Sequence, residues 1–569
     1  METTDQFLEP LKYYEHGLKD LHRQNVEEFF EGLTKDSKVD TGENKVTCTK
    51  YYQEKAKLDK KRKSLTAVKV GIVFMVIILI VGFVLGVILL VGGINNVNGV
   101  LIGVGIGLIA VGITALVLLL TVFRKNKKNL EAIVKKLEET VRKLQDEAYT
   151  QMAPLNALFN PKMSPQLMEK SAPLIDFDDY LSSKTEERIV EQFGDSLDTS
   201  NNRSTLVVQS GNVNTNPFLL RQVYVMEMRP ETYTGHLVIT YTRVVSDGKG
   251  GSRTITVTQT LTASIQRPKP HYGVETSLTY YSDAADSLSF YRKPAGLAGK
   301  SEKQIQKAVE KEDKENSKKA AKAMKKGETY AKFANSKFEA FINSEGRDNE
   351  MEYRLLFTPL AQNNFVYSFS KHDDIYFTKN KCINIISSSH DVGMDYSGDA
   401  SNYVNFDYEV IRKNFINYNM SFFEGLYYDF IPLLNIPLYQ QHKSAKFTSS
   451  KEEDPISYYE SEVLVNKFDP NDFRPENCDT NIILKTALKG RTLYVTAHGF
   501  HADPRTELVP VMGGDGFMHP VPVPYYEYIP VSGVNTVNLI NKTDEKVDNN
   551  NDSVINYRRF IACLLLSKI

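Results

Sequence analysis

The sequence predicts an α+β chain: N-terminal helices, a two-helix transmembrane hairpin with a helical stalk, and a large β-rich cytoplasmic region with an inserted long helix. Three observations predict it. Two apolar runs lie close together in the first quarter of the chain, heptad-spaced apolar residues flank them, and beyond Pro154 the pattern turns to short stretches rich in Val, Ile, Thr and Tyr. Five segments follow: 1–50, an N-terminal amphipathic helical segment; 51–153, the hairpin and its stalk; 154–300, a β-rich region; 301–345, a long helix passing from charged to amphipathic; and 346–569, a C-terminal α+β region.

At 569 residues the chain exceeds one ordinary domain. Its 69 basic and 70 acidic residues nearly cancel, which gives no argument for a nucleic-acid partner. Cys48, Cys382, Cys478 and Cys563 are scattered and form no CxxC pair, as expected of a chain kept in a reducing compartment. The start, Met1-Glu2-Thr3-Thr4-Asp5, lacks the basic and apolar pattern of a secretory signal, so an internal segment is expected to direct membrane entry.

Residues 3–34 read as one or two amphipathic helices. Phe7, Leu8, Leu11, Tyr14, Leu18 and Leu21 make one stripe, continued by Val26, Phe29, Phe30 and Leu33. The polar face is mixed rather than basic, which favours packing against the rest of the protein over lying on a membrane.

The run from Ala67 to Val91 contains one charge, Lys69, and the run from Val100 to Phe123 contains none. Each is longer than the roughly 18 residues beyond which a soluble core helix becomes the poorer explanation. The uncharged turn between them, Gly92 to Gly99, is short enough only for an antiparallel hairpin. Lys55, Lys57, Lys60, Lys61, Arg62 and Lys63 precede the first run, and Arg124, Lys125, Lys127 and Lys128 follow the second. The positive-inside rule then puts both termini in the cytoplasm of a two-pass protein of the cell membrane. Gly82 and Gly86, and Gly99, Gly103 and Gly107, recur every fourth residue, a spacing that lets membrane helices approach closely. Packing within the hairpin is the plainer reading, and homo-oligomerisation through the glycine face the sharper one. A conducting pore is disfavoured because neither run carries an ionisable residue in its middle.

Leu130, Val134, Leu137, Val141, Leu144 and Ala148 form a heptad stripe after the second run. Tyr51, Leu58 and Leu65, spaced by seven, precede the first. They predict either an antiparallel stalk within one chain or a parallel coiled coil between chains, with Pro154 ending it.

Strands are expected at Ser204–Gln209, Gln222–Arg229, His236–Val245 and Arg253–Gln266, with 246–252 as a hairpin loop and Arg267-Pro268-Lys269-Pro270 stopping the last strand. Lys184–Phe193 reads as a helix with Ser183 and Glu186 as a capping pair and Gly194 at its end. Residues 301–343 read as one long helix, Lys-rich and solvated in its first half. Further strands are expected at Arg354–Thr358, Asn364–Ser370, Ile375–Thr378, Cys382–Ser388, Ser461–Val465, Asn481–Leu484, Arg491–Ala497 and Pro520–Pro530, with helix around Tyr403–Asn417.

The densest candidate chemistry is His498, His501 and Asp503, followed by His519. His-x-x-His-x-Asp on a loop after a strand would bring together three ligands for a divalent metal, the one cofactor the sequence suggests. The plainer reading is a set of polar turn residues. His372-Asp373-Asp374 and His390-Asp391 with Asp395 and Asp399 are less specific, and their spacing is not that of a calcium loop. Walker, GxGxxG and GxSxG patterns are absent, which disfavours an ATPase, a Rossmann dehydrogenase and an α/β-hydrolase. The expectation is therefore a membrane-anchored binding or scaffold protein with a protein partner. A metal-dependent hydrolase at the membrane, an oligomeric channel-like hairpin and, with inverted topology, a surface receptor or adhesin are the alternatives.

Overall fold

The computed structural model describes residues 8–95, 98–246, 251–330, 332–388, 393–444, 456–541, 554–557 and 560–565. Expectations for residues 1–5, Phe7, Asn96, Val97, 247–250, His390 and Asp391 lie outside the described residues. The architecture is α+β, with a two-helix apolar hairpin and two antiparallel sheets. The chain divides into two compact units: Val26–Pro161 with Asp399–Tyr418, and Met1–Asn25 with Lys162–Gly398 and Asn419–Ile569.

The first of these units is helical. One helix runs unbroken over Thr41–Asn95, 55 residues and about 82 Å. The return consists of Gly99–Leu118, a π turn at Leu119–Phe123 and a helix over Arg124–Asn156. Asn98 caps the return, its side chain accepting the amides of Val100 and Leu101. Both helices are long and apolar enough to cross a membrane, and only 11% of each one's most apolar stretch is buried. That separates them from core helices of a soluble domain, whose apolar face is covered.

A single seven-residue rhythm organises the outgoing helix. Asn44, Tyr51, Leu58, Leu65, Gly86 and Gly93 are buried and differ by multiples of seven. The returning helix keeps the rhythm with one slip: Gly105 and Gly112 are buried before the π turn, Val134, Val141 and Ala148 after it. Seven-residue steps from Gly112 reach 133, one short of Val134, and the wider π turn between them takes up the extra residue. The π turn thus keeps one seam facing the partner helix from the hairpin tip to the stalk.

The glycines divide accordingly. A Cβ at Gly86 would lie 3.0 Å from the Gly105 carbonyl, one at Gly82 3.0 Å from the Leu108 carbonyl, and one at Gly105 2.8 Å from the Leu90 nitrogen. Here the backbones touch. Gly99, Gly103 and Gly107 would meet nothing within 4 Å, so they do not pack within the hairpin. The returning helix packs through glycines a heptad apart, and a strict four-residue spacing drifts off that seam. In the stalk, Tyr51, Leu58 and Leu65 pack with Val134, Val141 and Ala148, and Phe406 closes the end. The stripe is therefore satisfied within one chain, and Arg62 bridges the two helices to Glu138 at 2.7 Å. Pro154 sits in the last turn, and the helix runs to Asn156. Phe30, from the N-terminal stripe, packs on Phe415 and Tyr408.

The second unit holds thirteen named strands among the described residues: β1 Ile175–Phe177, β2 Arg203–Val213, β3 Asn216–Ser246, β4 Ser252–Tyr281, β5 Ser289–Arg292, β6 Ser344–Glu345, β7 Ile375–Asn380, β8 Ile383–Ser388, β9 Ile483–Lys489, β10 Thr492–Met512, β11 Met518–Asn541, β12 Val554–Tyr557 and β13 Phe560–Leu565. They form antiparallel sheets of order β1-β2-β3-β4-β8-β7-β5-β6 and β12-β13-β11-β10-β9. Neighbours cover the long strands only in part. β2 pairs with β3 as far as Val225, and β8 meets β4 only from Leu278. β9 reaches β10 as far as His498, and β13 meets β11 only from Thr536. Beyond those points β3/β4 and β10/β11 continue as two-stranded ribbons. The ribbons lie face to face, with Leu261 and Ala263 on Val521 and Val523, flanked by Leu237, Ile239, Val509 and Val511. At Gly235 the ribbons meet so closely that a Cβ would strike the Pro522 carbonyl.

Pro268 and Pro270 do not stop β4, contrary to the sequence reading. They pair with Pro230 and Met228 in mid-ribbon. In β10 and β11, Pro504, Pro510, Pro520, Pro522, Pro524 and Pro530 all fall on one alternate set of cross-strand pairs. Antiparallel pairs alternate between bonded and outward-facing backbone, so a proline costs nothing at an outward position of a ribbon with a free edge.

Other elements also differ from expectation. Residues 301–343 are two helices, Glu302–Lys326 and Ser336–Ile342, because Gly327 adopts φ +72° and closes the first. Arg354–Thr358, Asn364–Ser370 and Ser461–Val465 lie in or beside helices Glu350–Leu356, Pro359–Lys371 and Tyr458–Val465 rather than strands. Helix Ser183–Phe193 forms as expected and ends on Gly194 at φ +69°, but Ser182, not Ser183, caps it. Glu186 instead accepts the amides of Tyr458 and Tyr459. Tyr14 of the N-terminal stripe is buried and stacks on Tyr427.

Candidate functional site

Where the two ribbons leave their sheets they enclose a cleft of about 340 Å³. Its walls come from the turn before β2 (Asn201, Asn202), from β3 and β4 (Met226, Tyr272), and from β9, β10 and β11 (Ile483, His498 to Phe500, Pro530 to Ser532). Register sets the floor. His498 stands opposite Ile483 on one side and Ser532 on the other, so the three form a row across the sheet.

Tyr272 is held by its neighbours. Its hydroxyl donates to Thr480 Oγ1 at 3.1 Å, and its ring stacks on Tyr224 with centroids 5.7 Å apart. Tyr224 Oη in turn accepts from Asn481 Nδ2 at 2.8 Å. Burial raises the pKa of both phenols, so they stay protonated. His498 is shifted the other way, first by burial and then by the Lys485 ammonium, so its imidazole is neutral at pH 7. That ammonium is itself fixed by Glu462 at 2.6 Å and by the Arg203 carbonyl at 2.9 Å. The His498 side chain makes no hydrogen bond among the described residues, leaving a ring donor and acceptor for a ligand. The lining carries no formal charge: apolar Met226, Ile483, Phe500 and Val531 face neutral hydroxyl, amide and imidazole groups. Such a wall suits recognition of an uncharged group with an apolar body and a hydrogen-bonding edge.

The four residues expected to bind metal do not converge. The expected loop is the interior of β10, and its residues take separate partners. His498 lines the cleft, whereas His501 Nδ1 lies 2.7 Å from Asp479. Asp503 pairs with Arg505 at 2.9 Å, and His519 with Asp515 at 2.9 Å near the ribbon tip. His519 stands opposite Val511, ten residues along β10 from His501, a separation of roughly 33 Å. Among the described residues no group of three His, Cys, Asp or Glu is placed to hold a metal ion. Asp373, from the weaker acidic cluster, is buried against Arg292 and accepts the amides of Ala295 and Leu297. It is a structural ion pair.

Sequence reasoning singled out His498 but missed Asn202, Tyr272 and Ser532, which reach the cleft from three other points of the chain. No protein-family model matches this chain, and neither the curated proteins nor the solved structures contain a significant match to it.

Proposed function

We propose that the chain is a membrane-anchored cytoplasmic binding or scaffold protein, with the helical hairpin as anchor and the β-rich unit as the recruiting part. The observation that carries this is the uncovered apolar surface of the two antiparallel helices. Val73, Phe74, Ile77, Ile80, Phe83, Val84 and Ile88 on one, and Val104, Ile106, Val111, Ile113 and Val117 on the other, are all about half exposed. Contiguous apolar surface of that length is not sustained in water and fits the hydrocarbon of a bilayer. The uncharged tip and the basic residues at the other end support placing both termini in the cytoplasm.

The test is extraction followed by protease accessibility. The full chain should stay in membranes washed with alkaline carbonate. Its C-terminal half should be protected from protease in intact cells and cleaved in opened ones. Release by carbonate would sink the anchor. Cleavage in intact cells would keep the anchor and make the β-rich unit a surface receptor.

A further inference from the structure

The base of the stalk carries more positive charge than its own carboxylates neutralise. From Lys55 to Lys69 and from Arg124 to Glu131 stand eleven cations against two carboxylates, Asp59 and Glu131. Ion pairs engage three of the cations: Lys57 with Glu54 at 2.6 Å, Arg62 with Glu138 at 2.7 Å and Lys127 with Glu131 at 3.7 Å. Lys55 lies over the Tyr51 ring, 5.5 Å from its centroid. Lys60, Lys61, Lys63 and Lys69 on one helix, and Arg124, Lys125 and Lys128 on the other, are exposed and make no ion pair among the described residues.

Helix packing fixes their height. A Cβ at Gly71 would lie 2.7 Å from the Phe123 ring, so Lys69, Arg124 and Lys125 sit level with one another where the apolar spans end. The π turn at Leu119–Phe123 directly precedes Arg124. Its extra residue leaves Phe123, Lys127 and Leu130 half-buried on the seam and turns Arg124, Lys125 and Lys128 outward. Lys69, Arg124 and Lys125 mark the level where the spans end, and Lys60, Lys61 and Lys63 stand about 9 to 14 Å farther along the stalk, so the cations line the outside of both helices instead of converging on a pocket. That geometry fits a charged layer better than a single dehydrated anion. The opposite end of the hairpin has no cation between Gly92 and Gly99.

Resting on the membrane reading above, we propose that this collar is a binding surface for the phosphate-bearing headgroups of anionic phospholipids. It enriches them around one end of the hairpin, in one leaflet. An exposed Lys or Arg near an anionic lipid surface strengthens association about fivefold.

The experiment uses the full chain reconstituted in phosphatidylcholine vesicles with a trace of spin-labelled phosphatidylserine or spin-labelled phosphatidylcholine. The motionally restricted fraction of each label reports lipid in contact with the helices. The expected result is at least about a fivefold preference for the serine lipid at low salt. The preference should approach one near 1 M NaCl, where the screening length falls to about 3 Å. Replacing the four cations nearest the apolar spans (Lys69→Gln, Arg124→Gln, Lys125→Gln and Lys128→Gln) should lower the preference severalfold while leaving the restricted phosphatidylcholine fraction unchanged. Lys69→Arg with Lys125→Arg and Lys128→Arg should retain it. Equal restriction of both labels in the unaltered chain overturns the collar proposal but leaves the anchor standing. No restricted fraction for either label overturns the anchor itself. Inorganic phosphate should lower the preference only as much as NaCl of equal ionic strength, and a larger drop would assign the collar to free phosphate instead.

Discussion

The helical hairpin and the paired β-ribbons are both long antiparallel two-strand assemblies, but they handle their backbones in opposite ways. Each hairpin helix satisfies its amides internally, so its outer surface can be apolar throughout. A two-stranded ribbon leaves every second residue's amide and carbonyl on an open edge. β3/β4 and β10/β11 answer by covering one face with the other ribbon and placing proline along the edges. Both assemblies use glycine where backbones touch, Gly86 and Gly105 in the hairpin and Gly235 between the ribbons. The same residue type serves both because the packing problem is the same, whereas the side chains facing outward differ.

Adding a side chain at those contacts should have the largest effect. The atoms in the way at Gly86 include the Gly105 carbonyl, and at Gly235 the Pro522 carbonyl. Neither is the movable end of a side chain. Gly86→Val should part the helices and Gly235→Val the ribbons, each at a cost of about 3 kcal/mol or more. Gly103→Val, whose Cβ meets nothing within 4 Å, should change hairpin stability by less than about 0.5 kcal/mol. Thermal unfolding in mild detergent, followed by circular dichroism, ranks the three. A large loss at Gly103→Val would mean that the outer glycine face is covered, as a second copy of the chain would cover it.

A smaller effect, confined to the β-rich unit, comes from pH. Burial pushes the Glu186 carboxyl from its ordinary 4.5 up to about 7, against the opposing pull of the amides of Tyr458 and Tyr459 and of Arg221, with Glu462 adding to the rise. The folded chain therefore holds a proton that the unfolded chain releases. Its contribution is full below 4.5 and is lost as pH rises through about 7. Stability should fall by about 2 kcal/mol between pH 5 and pH 8. Glu186→Gln should flatten that slope in chemical-denaturation midpoints measured across the range. An unchanged slope would mean that another group carries it.

How much of each assembly could be read beforehand follows from how local its signals are. The apolar runs, Tyr51-Leu58-Leu65 and Val134-Val141-Ala148 announce helices through spacings within a few turns. The one-residue slip at Leu119–Phe123 was not legible, because an uncharged apolar run has no polar face to reveal its phase. In the β-rich unit the Val, Ile and Thr stretches marked strands, but their length depended on whether an edge was open. That is a tertiary fact, so Pro268 and Pro270 were misread. Thr358-Pro359 and Ser457 carry local cap chemistry for the helices that start there, within stretches whose apolar content resembles a strand. The cleft was the least legible feature. Asn202, Tyr272, His498 and Ser532 share no motif and meet only through strand register.

The slip itself can be tested by deletion. Removing Val122 from the π turn restores an unbroken seven-residue rhythm from Gly105 to Ala148. It should leave unfolding within about 1 kcal/mol of the parent. Removing Val76 from the first helix, which has no π turn, throws Gly82, Gly86 and Gly93 out of phase with Leu65 and should disrupt the hairpin. If the two deletions were equally damaging, the π turn would have a role other than absorbing one residue.

The smallest expected change in stability comes from the edge prolines, and it separates the two assemblies most sharply. Pro504→Thr with Pro510→Thr supplies two outward amides to the edge of β10 that β9 leaves unpaired beyond His498, without touching the cross-strand register. Threonine suits a strand better than proline, so unfolding should move by less than about 1 kcal/mol in either direction. What should change is association. The restored amides, in line with those of Thr506 and Leu508, create an edge on which another strand can pair. Light scattering and analytical ultracentrifugation of the detergent-solubilised chain should show concentration-dependent oligomers in the variant and not in the parent. The hairpin offers no equivalent liability, because a helix has no open edge. If the variant stays as dispersed as the parent, the prolines are tolerated at the edge rather than placed to guard it, and the contrast between the assemblies reduces to their solvent-facing side chains.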